Sequence, residues 1–99
     1  MVWSTALQEE KERVLLALIE RCRIEVGHTY VISPDTDPCR HLGLCEEDLD
    51  DIQIDACAAI GLRPPLRGEH LILPWSGPNA QLTLEAIAGW LATNARPLD

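Results

Sequence analysis

Three stretches of the chain repeat their apolar residues at helical spacing, and the prolines all fall outside them. Proline removes a backbone donor and clashes with the preceding turn, so long regular elements are confined to these three windows. The first window spans about Thr5 to Ile24. There Thr5 and Gln8 form a capping-box pattern, and Leu7, Val14, Leu15, Leu18 and Cys22 make one apolar stripe. Glu9, Glu10, Glu12, Arg13, Glu20 and Arg21 occupy the solvated side, and Gly27 is the stop signal. A second helix is expected from about Glu46 to Ile60, with Leu49, Ile52, Ala56 and Ile60 as its buried seam and Gly61 and Pro64-Pro65 beyond its end. In the third window Thr83 is the expected N-cap, and Leu84, Ile87, Ala88 and Leu91 share one side with Trp90 next to them, closing the core before Pro97.

The intervening segments are irregular. Residues 27–44 carry Pro34, Pro38 and Gly43, and connections this long in a small domain are either packed or functional. The β-branched patch from Thr29 to Ile32 suits a short extended segment, while Leu42 and Leu44 suit the core. Residues 62–81 are broken by Pro64, Pro65, Pro74 and Pro78, with Leu71 to Leu73 as a short strand or single helical turn and room for a short third helix. The expected fold is therefore all-α: one domain with a core from about residue 5 to 93, built as a small three- to four-helix bundle with an irregular, Pro-rich crossover.

Sixteen Asp and Glu against eight Lys and Arg leave a formal charge of −8. Phosphate backbones and anionic membrane surfaces are repelled by such a chain, so no nucleic-acid partner is expected. No signal-peptide pattern and no apolar run of membrane-spanning length is present, so the expected location is the cytoplasm, with no membrane insertion and a monomeric state. Four cysteines fit that compartment as reduced thiols. Cys22 and Cys57 sit in helical windows and read as small core residues. Cys39, His41 and Cys45, spaced C-x-H-x3-C, offer three zinc ligands with a fourth from His28 or His70, but they lack the paired C-x2-C knuckles of common structural sites. They are read as partly buried thiols and an ordinary imidazole, and no metal is expected.

The most informative cluster is acidic. Within residues 46–55, six of ten positions are Glu46, Glu47, Asp48, Asp50, Asp51 and Asp55, and none is basic. Carboxylates in a first helical turn interact well with the exposed amides and the positive end of the dipole, which accounts for Glu46, Glu47 and Asp48. Asp51 and Asp55 lie further along. With Asp48 they fall at offsets of three and seven, on one flank beside the apolar seam. Such a flank either keeps the chain soluble or docks on an Arg- and Lys-rich surface.

The order of elements around this cluster resembles the acyl carrier protein family. Residues Ile32 to Thr36 followed by His41-Leu-Gly-Leu44 and an acidic amphipathic helix are similar to the T-x-L-x-x-D-L-G-L segment that precedes the family's D-S-L motif. Gly61-Leu62 falls where carriers end their second helix, and Thr83 to Leu91 looks like their last. The resemblance covers about Leu7 to Leu91. In carriers the serine of D-S-L takes a phosphopantetheine arm whose thiol holds the acyl group. Here the junction reads Leu44-Cys-Glu-Glu-Asp-Leu49, with no serine between Ser33 and Ser76. Aligning Leu49 with the motif's leucine puts Asp48 at the serine position, and a gapless alignment puts Glu46 there. Neither carboxylate has a hydroxyl to modify, so phosphopantetheine is not expected.

What the resemblance implies is an acyl carrier-like protein that has lost its prosthetic-group serine and serves as an acidic docking module for enzymes of acyl-chain metabolism. Its contact residues would be Leu44, Glu47, Asp48, Leu49, Asp51 and Asp55, facing a basic patch on the partner. Two other readings stand beside it: a true carrier with an atypical attachment residue, and a zinc-stabilised interaction domain. Catalysis is not expected. His28, His41 and His70 are scattered over loops, and a Cys45–His41 pair has neither an orienting third group nor an oxyanion site indicated in the sequence.

Overall fold

A computed structural model describes residues 2–44, 46–63, 66–67, 70–71 and 83–97, with side chains for 8–44, 48–63 and 83–97. Among them are four helices: α1 (Val2–Val26), α2 (Pro38–Leu42), α3 (Glu46–Ala59) and α4 (Leu84–Asn94). Two antiparallel pairs of two-residue strands complete the described elements, β1 (Leu62–Arg63) with β4 (Arg96–Pro97) and β2 (Leu66–Arg67) with β3 (His70–Leu71). The architecture is a small helical bundle in which α1 packs against both α3 and α4.

Each long helix buries the stripe its sequence periodicity marks. Val14, Leu18 and Cys22 of α1, Ile52, Ala56 and Cys57 of α3, and Leu84, Ile87, Ala88 and Leu91 of α4 form one core. Ile32, Leu42 and Leu62 join it from the connections, and Leu44 and Ile60 pack on its margin. α1 ends where Gly27 turns left-handed at φ +81°, its amide donating to the Arg23 carbonyl at 2.8 Å. α3 stops before Gly61, also left-handed. The α4 N-cap is Thr83, whose hydroxyl oxygen accepts the Ala86 amide at 3.1 Å.

Three features depart from the sequence expectation. α1 begins at Val2, so the expected capping pair of Thr5 and Gln8 lies within the helix. Thr29–Ile32 forms turn and irregular backbone in place of an extended strand segment, with Val31 exposed and Ile32 buried. Residues 38–42 form α2 inside what read as a loop. The reason is local. Asp37 accepts the Cys39 and Arg40 amides at 3.0 and 3.1 Å, Pro38 supplies a preset first helical residue, and Gly43 closes the turn in the left-handed region. Leu71 pairs with Leu66 in a strand ladder, while residues 72–82, where a short third helix was expected, lie outside the described residues.

The connection 33–37 holds the bundle's far end in place. The first two amides of α4 have no partner within the helix. Leu84 donates to the Thr36 carbonyl and Glu85 to the Pro34 carbonyl, both at 2.9 Å. Thr36 is itself buried, its hydroxyl oxygen accepting the Ser33 amide at 2.9 Å. Loop, α2 and α4 therefore form one hydrogen-bonded assembly, and α3 starts two residues beyond Leu44 at its edge.

Candidate functional site

α3 is held against α1 by both packing and polar contacts. Its seam of Leu49, Ile52, Ala56 and Cys57 turns inward, which by helical geometry directs Asp51 and Asp55 to solvent. Arg13 of α1 reaches across to donate to the carbonyl of Ile60 at 3.1 Å while pairing with Glu10 at 3.0 Å. It places a cation at the negative end of a helix that has no basic residue in its own last turn. Further along α1, Arg21 donates to the Asp55 carboxylate at 3.1 Å.

The expected contact residues divide accordingly. Asp51 is exposed and has no ion pair among the described residues. Asp55 is exposed and shares its charge with Arg21. Asp48 is half-buried on the same flank, and Leu44 is half-buried against the core margin. Leu49 turns the other way. It is 1% exposed, so this side chain supports the helix from inside and offers no surface to a partner. The Glu47 side chain lies outside the described residues, as does Cys45.

One buried residue is signalled by its spacing and not by its type. Gln53 is fully buried on α3, its amide nitrogen donating to the Leu49 carbonyl at 3.2 Å and its Oε1 without a hydrogen-bond partner among the described residues. Its offset of four from both Leu49 and Cys57 places it on the inward face, whereas its residue type ordinarily faces water. An orphaned buried acceptor costs about 1–3 kcal/mol.

Of the residues that offer zinc ligands, His41 has another partner, while Cys45 and the His70 side chain lie outside the described residues. His41 is exposed, and its Nδ1 accepts the Asp37 amide at 2.9 Å. Because the amide must donate, the Nδ1 lone pair is engaged within the loop. Cys39 is exposed, and among the described residues no group of three His, Cys, Asp or Glu side chains is placed to hold a metal ion. A shallow pocket of about 140 Å3 lies here, lined by Asp35, Asp37, Arg40, His41 and Thr83. It falls short of the ~300–1,000 Å3 of typical small-molecule sites. Its Asp37 carboxylate is already committed to the α2 amides.

The two described core thiols are poor nucleophiles. Burial pushes Cys22 up to about 11, with Glu25 adding to the shift, and burial does the same to Cys57, with Glu10 adding. α3 itself carries no serine or threonine, and its one thiol, Cys57, is buried. Among the described residues, the outer flank of α3 offers carboxylates and no hydroxyl or exposed thiol. Among the described residues no helix is long and apolar enough to cross a membrane. Compared with family models, curated proteins and solved structures, the chain matches none.

Proposed function

We propose that the chain is an acyl carrier-like docking module that works without a prosthetic group, presenting the outer flank of α3 to a basic patch on an enzyme of acyl-chain metabolism. The observation that carries this reading is the placement of Asp51. It stands exposed beside Asp48 and Asp55 on a helix whose opposite seam is buried and whose position is fixed by Arg13 and Arg21. Negative side chains on a rigid element raise the rate of encounter with a basic surface and set its orientation. The order of elements, from long α1 through the loop ending at Leu44 to acidic α3 and Thr83-capped α4, supports the carrier-like part of the reading. With Leu49 inside the core, Leu44 is the apolar contributor on this edge.

Affinity capture with the full chain tests the docking role. Wild-type protein is expected to retain an enzyme of acyl-chain metabolism at low salt, to release it as salt rises, and to lose it in Asp51→Asn. A partner held equally by Asp51→Asn and at high salt would overturn the role of this flank. Intact mass spectrometry after incubation with coenzyme A and a promiscuous phosphopantetheinyl transferase tests the other half. No gain in mass is expected, whereas the added mass of one phosphopantetheine would make the chain a true carrier.

A further inference from the structure

Basic side chains are scarce here, and most of those described are engaged within the fold. Lys11 pairs with Glu85, Arg13 with Glu10, Arg21 with Asp55, Arg23 with Glu20 and Arg40 with Asp37. Arg63 and Arg96 have no carboxylate partner among the described residues, and both are exposed. They are also placed directly opposite one another, because β1 pairs with β4 in the register Leu62 with Pro97 and Arg63 with Arg96. Directly opposed residues of an antiparallel pair share a face, with Cβ atoms ~4.5–5.5 Å apart, and like charges in that arrangement destabilise the pair. Helix C-termini favour cations within their last turn. Both arginines lie beyond the last turn of the helix before them, Arg63 past α3 and Arg96 past α4, so neither position is accounted for in this way.

We propose that Arg63 and Arg96 together form a binding site for the phosphate group of a small phosphate monoester. Two guanidinium forks brought side by side present parallel N–H donors to a dianion, which bidentate geometry matches better than a single cation does. The anion supplies a counter-charge that no described carboxylate gives and relieves the repulsion across the strand pair. Backbone pairing at the exits of α3 and α4 sets the two arginines in place before the ligand arrives. A long polyanion is disfavoured by the overall charge of −8, which leaves a small ligand as the occupant. The site is independent of the acidic flank on α3, so either assignment can fail without the other.

The test titrates the full chain with inorganic phosphate, chloride and acetate at matched ionic strength, following arginine side-chain and backbone amide resonances by NMR together with Tm. Saturable shifts at Arg63 and Arg96 and a rise in Tm are expected with phosphate only. Arg63→Gln and Arg96→Gln should each weaken phosphate binding by about tenfold or more while leaving Tm in chloride equal or higher. Arg63→Lys, which keeps the charge and loses the fork, should still bind several-fold more weakly. Equal responses to chloride or acetate, wild-type affinity in Arg63→Lys or either Gln variant, or a lowered Tm in chloride for the Gln variants would each overturn the proposal.

Discussion

Arg21 of α1 lies 3.1 Å from the carboxylate of Asp55 on α3, so one of the three aspartates on the acidic flank already has a counter-charge from within the chain. Asp51, one turn earlier, has none among the described residues. The two aspartates therefore separate in their effects. Asp55→Asn should lower stability by about 0.2–1 kcal/mol, the range for a solvent-exposed pair. Asp51→Asn should leave stability within about 0.5 kcal/mol of wild type. Urea titration of both variants checks this. A loss of stability in Asp51→Asn as large as in Asp55→Asn would show that the flank is held together differently.

Leu49 distinguishes support from contact. At 1% exposure its truncation to alanine should cost about 2–5 kcal/mol, as for other buried leucines. Leu44→Ala should cost less, since that side chain is only half-buried. Denaturant midpoints measured at constant slope give both numbers, and a Leu49→Ala variant as stable as wild type would contradict the inward placement.

How far these side chains could be placed from sequence follows from the range of the forces involved. The stripes of α1, α3 and α4 and their stops at Gly27 and Gly61 were legible, because apolar spacing and left-handed glycine are local signals. The α4 N-cap at Thr83 was equally plain. The signal for α2 was present in Asp37-Pro38, a capping side chain followed by a favoured first helical residue, but five residues are too few for any periodicity to show. The inward turn of Leu49 was visible as part of the α3 seam, and its simultaneous assignment to the contact surface ignored that geometry. The Arg21–Asp55 pair and the opposition of Arg63 to Arg96 join residues far apart in the chain, and no local pattern encodes them.

Gly89 occupies the middle of α4, where glycine costs roughly 0.5–1 kcal/mol relative to alanine. Among the described residues, a methyl group there would meet only the side chain of Lys11, with its Cε at 3.7 Å, an ordinary contact. Gly89→Ala should therefore stabilise the protein by about 0.5–1 kcal/mol, read as a higher Tm or denaturant midpoint. A destabilised variant would show that α1 and α4 approach more closely at this point.

The buried thiols give the stability a defined alkaline limit. Their ordinary value is 9.0 and burial raises both to about 11, so the folded state prefers the protonated thiol. That contribution is fully present below pH 9 and is lost as pH rises toward about 11, because the unfolded chain releases these protons first. The urea midpoint should fall across that interval, and the fall should be shallower in a Cys22→Ala/Cys57→Ala variant. Equal slopes in the two proteins would assign the alkaline loss to other groups.

The bonds from Leu84 and Glu85 to the carbonyls of Thr36 and Pro34 also bear on the order in which the molecule can assemble. On the ribosome the loop is made well before its partner, and α1 emerges with the face that α4 covers still bare. The nascent chain through Arg63 therefore carries an uncovered apolar face on α1 until α4 clears the exit tunnel.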